Sequence, residues 1–372
     1  MNSKERVLAA LNNEIPDRVP LDIGSINNSG MHWTIEKKIK QHLKLKDNGY
    51  MIKSRPQLIT VPDQSIIDYF DVDTCSVYMN ESHEWIDNKD GTFTDMWGIG
   101  QKLNPDGNYY NMCSHPLENI EEIADLDKWQ FPEPTEYMLE GLSEHLDANK
   151  DKCCVLEGFR EAMFGLPSWL RRSENWYVDI MINEDFADAL HEKLLLGYKK
   201  WIDFVMTRIG DRIDIVKFGD DMGAQNALLM SPEVYRARIK PYQADLYGYV
   251  KNKYKKPILL HSCGAIRPII GDLIEIGVDA LNPIQISAED MEPESLKREF
   301  GNRIAFWGGG IDTQQVLGVA SPDEIRAHVK HNISVFKRGG GYIFTTVHNI
   351  QPNVPIENIL AMYEAYNEVA HY

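Results

Sequence analysis

The 372-residue chain is predicted to fold as an α/β protein, a single (β/α)8 TIM barrel. Three observations predict it. Eight short apolar stretches recur along the chain. The later ones are apolar on both faces and separated by helical stretches, the pattern of a parallel sheet covered by helices. Polar residues gather where these stretches end, which in a barrel is where strands pass into βα loops. An open, doubly wound sheet is the alternative for the same alternation.

Ser3 to Asn12 reads as the first helix, with Ser3 as its N-cap and Leu8 and Leu11 on one face. The candidate strands are residues 18–24, 72–78, 153–159, 213–221, 257–264, 279–285, 304–312 and 342–349. Clear helical stretches cover residues 186–210, 231–254 and 321–339. Residues 84–112 break the alternation. Lys89-Asp90-Gly91 and Pro105-Asp106-Gly107 are turn signals between aromatic runs, which predicts a β-hairpin or small β-meander inserted after the second strand. Its aromatics suit a cover over the barrel mouth, a subunit interface in a homodimer, or plain surface decoration. No repeat or linker divides the chain, so residues 1–372 read as one domain.

Bulk composition narrows the function. A hydrophobic content of 43% with 8 tryptophans is ample for a packed core. A formal net charge of −17 argues against nucleic acid or an anionic membrane surface as partner. It also disfavours a highly carboxylated substrate unless arginines gather around it. The opening residues are charged and helical in pattern, unlike a signal peptide, and no apolar run is long enough to span a bilayer. The five cysteines are Cys75, Cys113, Cys153, Cys154 and Cys263; an odd count predicts reduced thiols and a cytoplasmic location.

The strongest chemical signal is His261-Ser262-Cys263-Gly264, which ends the apolar stretch at residues 256–260. Side chains two apart on a strand point the same way, so an imidazole and a thiol share one face. That is half of a soft-metal site, most naturally zinc. His348, ending the eighth candidate strand, is the best-placed third ligand. Cys153 and Cys154 begin their strand, at the wrong end of a barrel, and read as inert packing. Taken alone, a strand-end histidine is more often hydrogen-bonded structure than a ligand.

The weight lies in the company these residues keep. Glu157 and Arg160 follow the third candidate strand, Asp220, Asp221 and Gln225 the fourth, and Asn282 and Gln285 lie in the sixth. Asp312 and Gln314 follow the seventh, beyond Gly308-Gly309-Gly310. Those glycines suit either a close approach to a ligand or a tight strand exit. Asp220 and Asp221 should alternate faces, one toward the mouth and the other toward the helices. The inward acid could act as acid or base, supply a fourth ligand, or orient a metal-bound histidine. Glu157 is its rival, and any such aspartate could equally be an N-cap.

Five segments together resemble the uroporphyrinogen decarboxylase superfamily. They are KERVLAALNNEIPDRVPLD, SPEVYRARIKPY, LLHSCGAIRPIIGDLIEIGVDALNPIQ, FWGGGIDTQQVL and VHNIQPNVPIENILAMYEA, spread over nearly the whole chain. The resemblance implies a (β/α)8 barrel and one of two activities. One branch decarboxylates the acetate arms of a porphyrinogen without a cofactor. The other comprises zinc-dependent methyltransferases that exchange methyl groups with a corrinoid (cobalamin) protein. The decarboxylase branch carries an early arginine-rich run resembling RQAGRY; this chain has LDIGSINNSGMHW there, without arginine. The methyltransferase branch has His-x-Cys near the fifth strand, matched by His261 and Cys263, and a cysteine near the eighth, where this chain has His348.

The resemblance therefore implies zinc on His261, Cys263 and His348, and a separate corrinoid protein as partner. Exchanging a thiolate for neutral imidazole makes the site less negative by one charge. That favours a metal holding an oxygen or nitrogen next to the moving methyl over one activating a thiol. Asp220, Asp221 or Glu157 would protonate or orient the leaving group. His32, Arg160, Gln225, Asn282, Gln285 and Asp312 would shape the pocket of a small methylated substrate, with Trp33, Arg55 and Trp97 nearby. A non-catalytic ligand-binding barrel and a metal-assisted lyase or hydrolase are the other readings.

Overall fold

The structure is a computed structural model that describes residues 1–82, 85–159 and 161–372. The chain opens with α1 (Ser3–Leu11), α2 (Trp33–Leu43), a hairpin of β1 (Met51–Ser54) and β2 (Ile59–Val61), and α3 (Gln64–Phe70). After β3 (Thr74–Tyr78) come β4 (Ile86–Asp87), β5 (Thr92–Thr94), β6 (Gly100–Leu103) and β7 (Tyr110–Ser114). The remainder is α4 (Leu142–Ala148), β8 (Cys153–Phe159), α5 (Gly165–Arg171), α6 (Ser173–Ile182), α7 (Glu184–Ile209), β9 (Ile215–Gly219), α8 (Pro232–Arg238) and α9 (Lys240–Tyr254). It ends with β10 (Ile258–His261), α10 (Arg267–Glu275), β11 (Ala280–Asn282), α11 (Pro293–Phe300), β12 (Ala305–Trp307), α12 (Pro322–Phe336), β13 (Tyr342–Ile343) and α13 (Ile356–Val369).

Seven parallel strands follow one another in the order β13-β12-β11-β10-β9-β8-β3. The segment predicted as the first strand, residues 18–24, closes the gap. Leu21 bridges Phe344 in parallel. Asp22 N–H donates to Phe344 O at 2.9 Å, Phe344 N–H to Pro20 O at 2.8 Å, and Asp73 N–H to Leu21 O at 2.9 Å. The α/β barrel is thus complete, with its first staves reduced to a single bridge.

Strict alternation assigns each strand residue to a side. Cys153, Val155, Ile215, Leu259, Ala280, Ala305, Trp307 and Ile343 pack inside the barrel, where Val7, Ala10 and Leu11 of α1 join them as a floor. Val216, Phe218, Ile258, Leu260, Leu281 and Phe306 face outward and pack beneath the helices. Continuing the inward register upward brings Glu157, Lys217, His261 and Asn282 to the C-terminal mouth.

Two local expectations change, and the third, the β-hairpin or small β-meander after the second strand, is borne out as a meander. The N-cap of α1 is Asn2 rather than Ser3: its Oδ1 accepts the Glu5 N–H at 2.8 Å, and Asn2 N–H donates to the Glu5 carboxylate at 3.0 Å. The stretch 231–254 is two helices, because Pro241, lacking an N–H, sits in the first turn of α9 rather than inside a continuous helix. The insertion after β3 is a four-stranded antiparallel meander in chain order, β4-β5-β6-β7. The β1–β2 hairpin had no counterpart among the expected elements. Among the described residues, no helix is long and apolar enough to cross a membrane.

Candidate functional site

The site begins with the exit of β10. His261 is the last residue of that strand and faces inward; Cys263 follows on the same side. Cys263 Sγ lies 3.4 Å from His261 Nε2. His348 arrives from beyond β13, and the ligand atoms of all three residues lie within 4.8 Å of one another. Among the described residues, they make the one histidine, cysteine and carboxylate group of this compactness.

Hydrogen bonds fix the tautomer of His261. Its Nδ1 lies 2.7 Å from Asn282 Oδ1, an acceptor, while Asn282 Nδ2 donates to Trp307 O at 2.9 Å. Nδ1 therefore carries the proton, and the Nε2 lone pair points at Cys263. Asn28 confirms the direction: its Nδ2 stands 3.1 Å from His261 Nε2 and 3.0 Å from His348 Nε2, donating to both rings. Two inward lone pairs and a thiol form the donor set zinc takes. Gly308 supports Asn282 from behind, at φ +102°, where a Cβ would stand 3.2 Å from Asn282 Nδ2. The glycine run is thus a tight strand exit.

Burial, then the neighbouring His261, pulls His348 down to about 4, so it is a neutral imidazole near pH 7. Burial, then the charge of Asp221, pushes the Cys263 thiol well up. Asp221 is the inward acid of its pair: Oδ1 lies 3.4 Å from His261 Nε2 and accepts the Cys263 N–H at 2.9 Å. Burial opposes its ionisation, but His261 in its doubly protonated form, and the Cys263 N–H, outweigh it and hold the carboxyl well below the usual range. Asp220 points the other way. It accepts the N–H groups of Ala162, Met163, Phe164 and Gly165 and the Gln243 amide, at 2.7–3.1 Å, and so anchors the loop after β8.

Glu157 is buried at the floor of the mouth. Its carboxylate meets Lys53 at 2.9 Å and Lys217 at 3.8 Å and accepts the Asn27 N–H at 2.6 Å. Burial opposes the charge, but those two ammonium groups keep its pKa lowered. Two cations face this one acid.

The other expected pocket residues are distributed unevenly. Gln285 accepts the Gly264 N–H at 2.8 Å and donates to Gln225 at 3.0 Å, bracing the loops after β9, β10 and β11. Asp312 accepts from Gln314 N–H at 2.7 Å, capping its own turn. His32 caps α2 through Thr34 N–H at 3.3 Å, and burial draws it down to about 4. Trp97 is buried against Phe131 and Trp201. Arg160 lies outside the described residues.

Sequence reasoning missed Asn28, Lys53 and Lys217. Lys217 had a signal, as the one lysine in register with the inward Ile215. Lys53 comes from the unforeseen hairpin, and Asn28 from a polar turn with no periodicity.

Beside the site opens a cleft of about 430 Å3, walled by Arg55, Tyr78, Asn80, Trp85 and Tyr137 with Lys53. Its deep end reaches Asn27 and Glu157, one residue from Asn28. The Arg55 guanidinium lies 4.2 Å from the Phe93 ring centre and 4.9 Å from that of Trp85, and pairs with Asp87 at 2.5 Å. These contacts tie the β1–β2 hairpin to the meander.

Comparison with known proteins fits this geometry. Residues 93–369 match the model of the family "Uroporphyrinogen decarboxylase (URO-D)". The uroporphyrinogen decarboxylase of Prochlorococcus marinus (strain MIT 9515) is 26% identical over 258 residues, 68% of this chain and 70% of that protein. The methylcobamide:CoM methyltransferase MtaA of Methanosarcina barkeri is 23% identical over 186 residues, 49% of this chain and 50% of that protein. A solved methyltransferase from Methanosarcina mazei superposes with a TM-score of 0.68 at 18% identity, covering 99% of both chains, and so shares the fold. By the family match over most of its length, the chain belongs to the uroporphyrinogen decarboxylase family.

Proposed function

We propose that this protein is a zinc-dependent methyltransferase that moves a methyl group between a small O- or N-methylated compound and a cobalt corrinoid carried by a separate protein. The observation that carries the reading is the convergence of His261, Cys263 and His348 within 4.8 Å. The names of the Methanosarcina relatives support methyl transfer. Zinc held there would supply Lewis-acid activation of the heteroatom that bears the methyl group.

The chain's own residues supply the rest. Asn282 holds His261 in the liganding tautomer. Asp221 offsets positive charge beside His261. The aromatic cleft binds and orients the substrate, with Glu157, Lys53 and Lys217 as its polar floor. The two histidines and one thiolate suit an oxygen or nitrogen compound, since only one ligand brings negative charge to the metal.

Decarboxylation of a polycarboxylate porphyrinogen is the second reading, and the family name favours it. Against it, Lys53 is committed to Glu157 and Arg55 to Asp87. The test is the absorption spectrum of a Co(I) corrinoid mixed with a panel of methyl ethers and methylamines. Methyl-cobalamin should form only with enzyme present, and zinc should co-purify near one equivalent. Absence of both, with carbon dioxide released from a porphyrinogen, would replace this reading with the second.

A further inference from the structure

The deep end of the cleft is a recess of about 40 Å3. Three side chains that line it hold a buried polar atom with no hydrogen-bond partner among the described residues: Asn27 Oδ1, Ser54 Oγ and Trp85 Nε1. They come from three separate segments. Asn27 opens the short turn Asn27–Ser29, Ser54 ends β1, and Trp85 stands just before β4. The same turn joins the recess to the candidate metal group, since Asn28 reaches both His261 and His348.

The charged side chains around the recess are differently placed. Both Glu157 oxygens are taken, one by the Asn27 N–H at 2.6 Å and the other by Lys53 at 2.9 Å. Lys53 also donates to Gly24 O at 3.0 Å and to Ser76 Oγ at 3.3 Å. Arg55 holds Asp87, and the Asn80 amide donates to Tyr137 O at 2.9 Å. An incoming ion would have to break one of these pairs. The neutral atoms are the ones left over, and a buried polar atom without a partner is costly.

The chemistry of those three atoms specifies what completes them. A carboxamide oxygen accepts, an indole N–H donates, and a serine hydroxyl does either. An ether oxygen or a carboxylate gives no hydrogen to Asn27 Oδ1. An ammonium gives no lone pair to Trp85 Nε1. A hydroxyl group both donates and accepts, and the recess has room for a group of that size. Water has the same capacity, and a ligand hydroxyl reproduces the bonds of a water that it displaces.

We propose that this recess is a hydroxyl-binding subsite, and that the small methylated substrate is uncharged at this end and carries a hydroxyl group in addition to its methyl-bearing atom. The identity of the ligand as a methyl donor or acceptor rests on the methyl-transfer reading above; the subsite itself does not.

The test is calorimetric binding to the zinc-loaded full chain, without cobalt, of three compounds that differ in one group. 2-Methoxycyclohexanol should bind about 10- to 100-fold more tightly than 1,2-dimethoxycyclohexane, whose second oxygen has no hydrogen to give, and than 2-methoxycyclohexanecarboxylate. Asn27→Ala, which keeps the backbone N–H on Glu157, should shrink the preference for the alcohol over the diether to within about threefold. Ser54→Ala and Trp85→Phe should each weaken the alcohol by about 3- to 10-fold. Circular dichroism and zinc content check that the variants fold. Equal binding of alcohol and diether by wild type, tighter binding of the carboxylate, no binding of the alcohol at millimolar concentration, or a preference that survives all three substitutions overturns the proposal. A preference for the alcohol without methyl transfer to a Co(I) corrinoid removes the methyl-transfer reading and leaves the subsite standing.

Discussion

At the floor of the barrel, Asp73 accepts Arg6 at 2.6 Å, Arg18 at 2.7 Å and the Leu21 N–H at 2.8 Å. At the mouth, His261, Cys263 and His348 bring their ligand atoms within 4.8 Å of one another, and both rings meet the neutral Asn28 amide at Nε2, with no cation paired to them among the described residues. The floor saturates its buried charge and uses it to join α1, the first stave and β3. The mouth leaves donor atoms in reserve. Saturated polar networks fix a fold, whereas reserved ones are available to a ligand.

Substitutions at the two ends should therefore separate stability from metal binding. Asp73→Ala would remove the buried carboxylate that Arg6 and Arg18 share, leaving them the outer carboxylates of Asp17 and Asp71, and should cost about 3–5 kcal/mol by chemical denaturation, with zinc per folded molecule unchanged. An unfolding midpoint close to wild type would break the comparison. Cys263→Ser should do the reverse, removing most bound zinc as measured by atomic absorption while altering denaturation little. Asn282→Ala removes the acceptor that fixes the His261 tautomer and should weaken zinc about 10–100-fold, read by competition with a chromophoric chelator. Zinc affinity should also rise with pH, by up to about tenfold per unit, because binding expels the proton of a thiol whose pKa burial and Asp221 have raised. The slope should flatten in Cys263→Ser. Smallest is Asn2→Ala, which loses the α1 cap and should cost about 1 kcal/mol.

The floor and the mouth also differed in how much the sequence disclosed. Apolar alternation located the barrel strands, and the two-residue spacing of His261 and Cys263 placed them on one face, as the 3.4 Å contact bears out. The same alternation separated Asp220 from Asp221 by side. Asn28 was hidden because a turn has no period, yet it touches both histidines. The split between α8 and α9 was present in the sequence as Pro241, and was outweighed by the helical pattern around it.

The pairing of Leu21 with Phe344 carries a consequence for the life of the chain. The first and last staves are partners separated by most of the polypeptide, and Asn28 meets His348 across the same seam. As the protein leaves the ribosome, the early stave must wait, one edge unmatched, until nearly the whole sequence has emerged. Any nascent fragment that ends before His348 has an open cylinder and lacks the third member of the cluster that His261 and Cys263 begin, so the candidate site is assembled only after nearly all of the chain has been made.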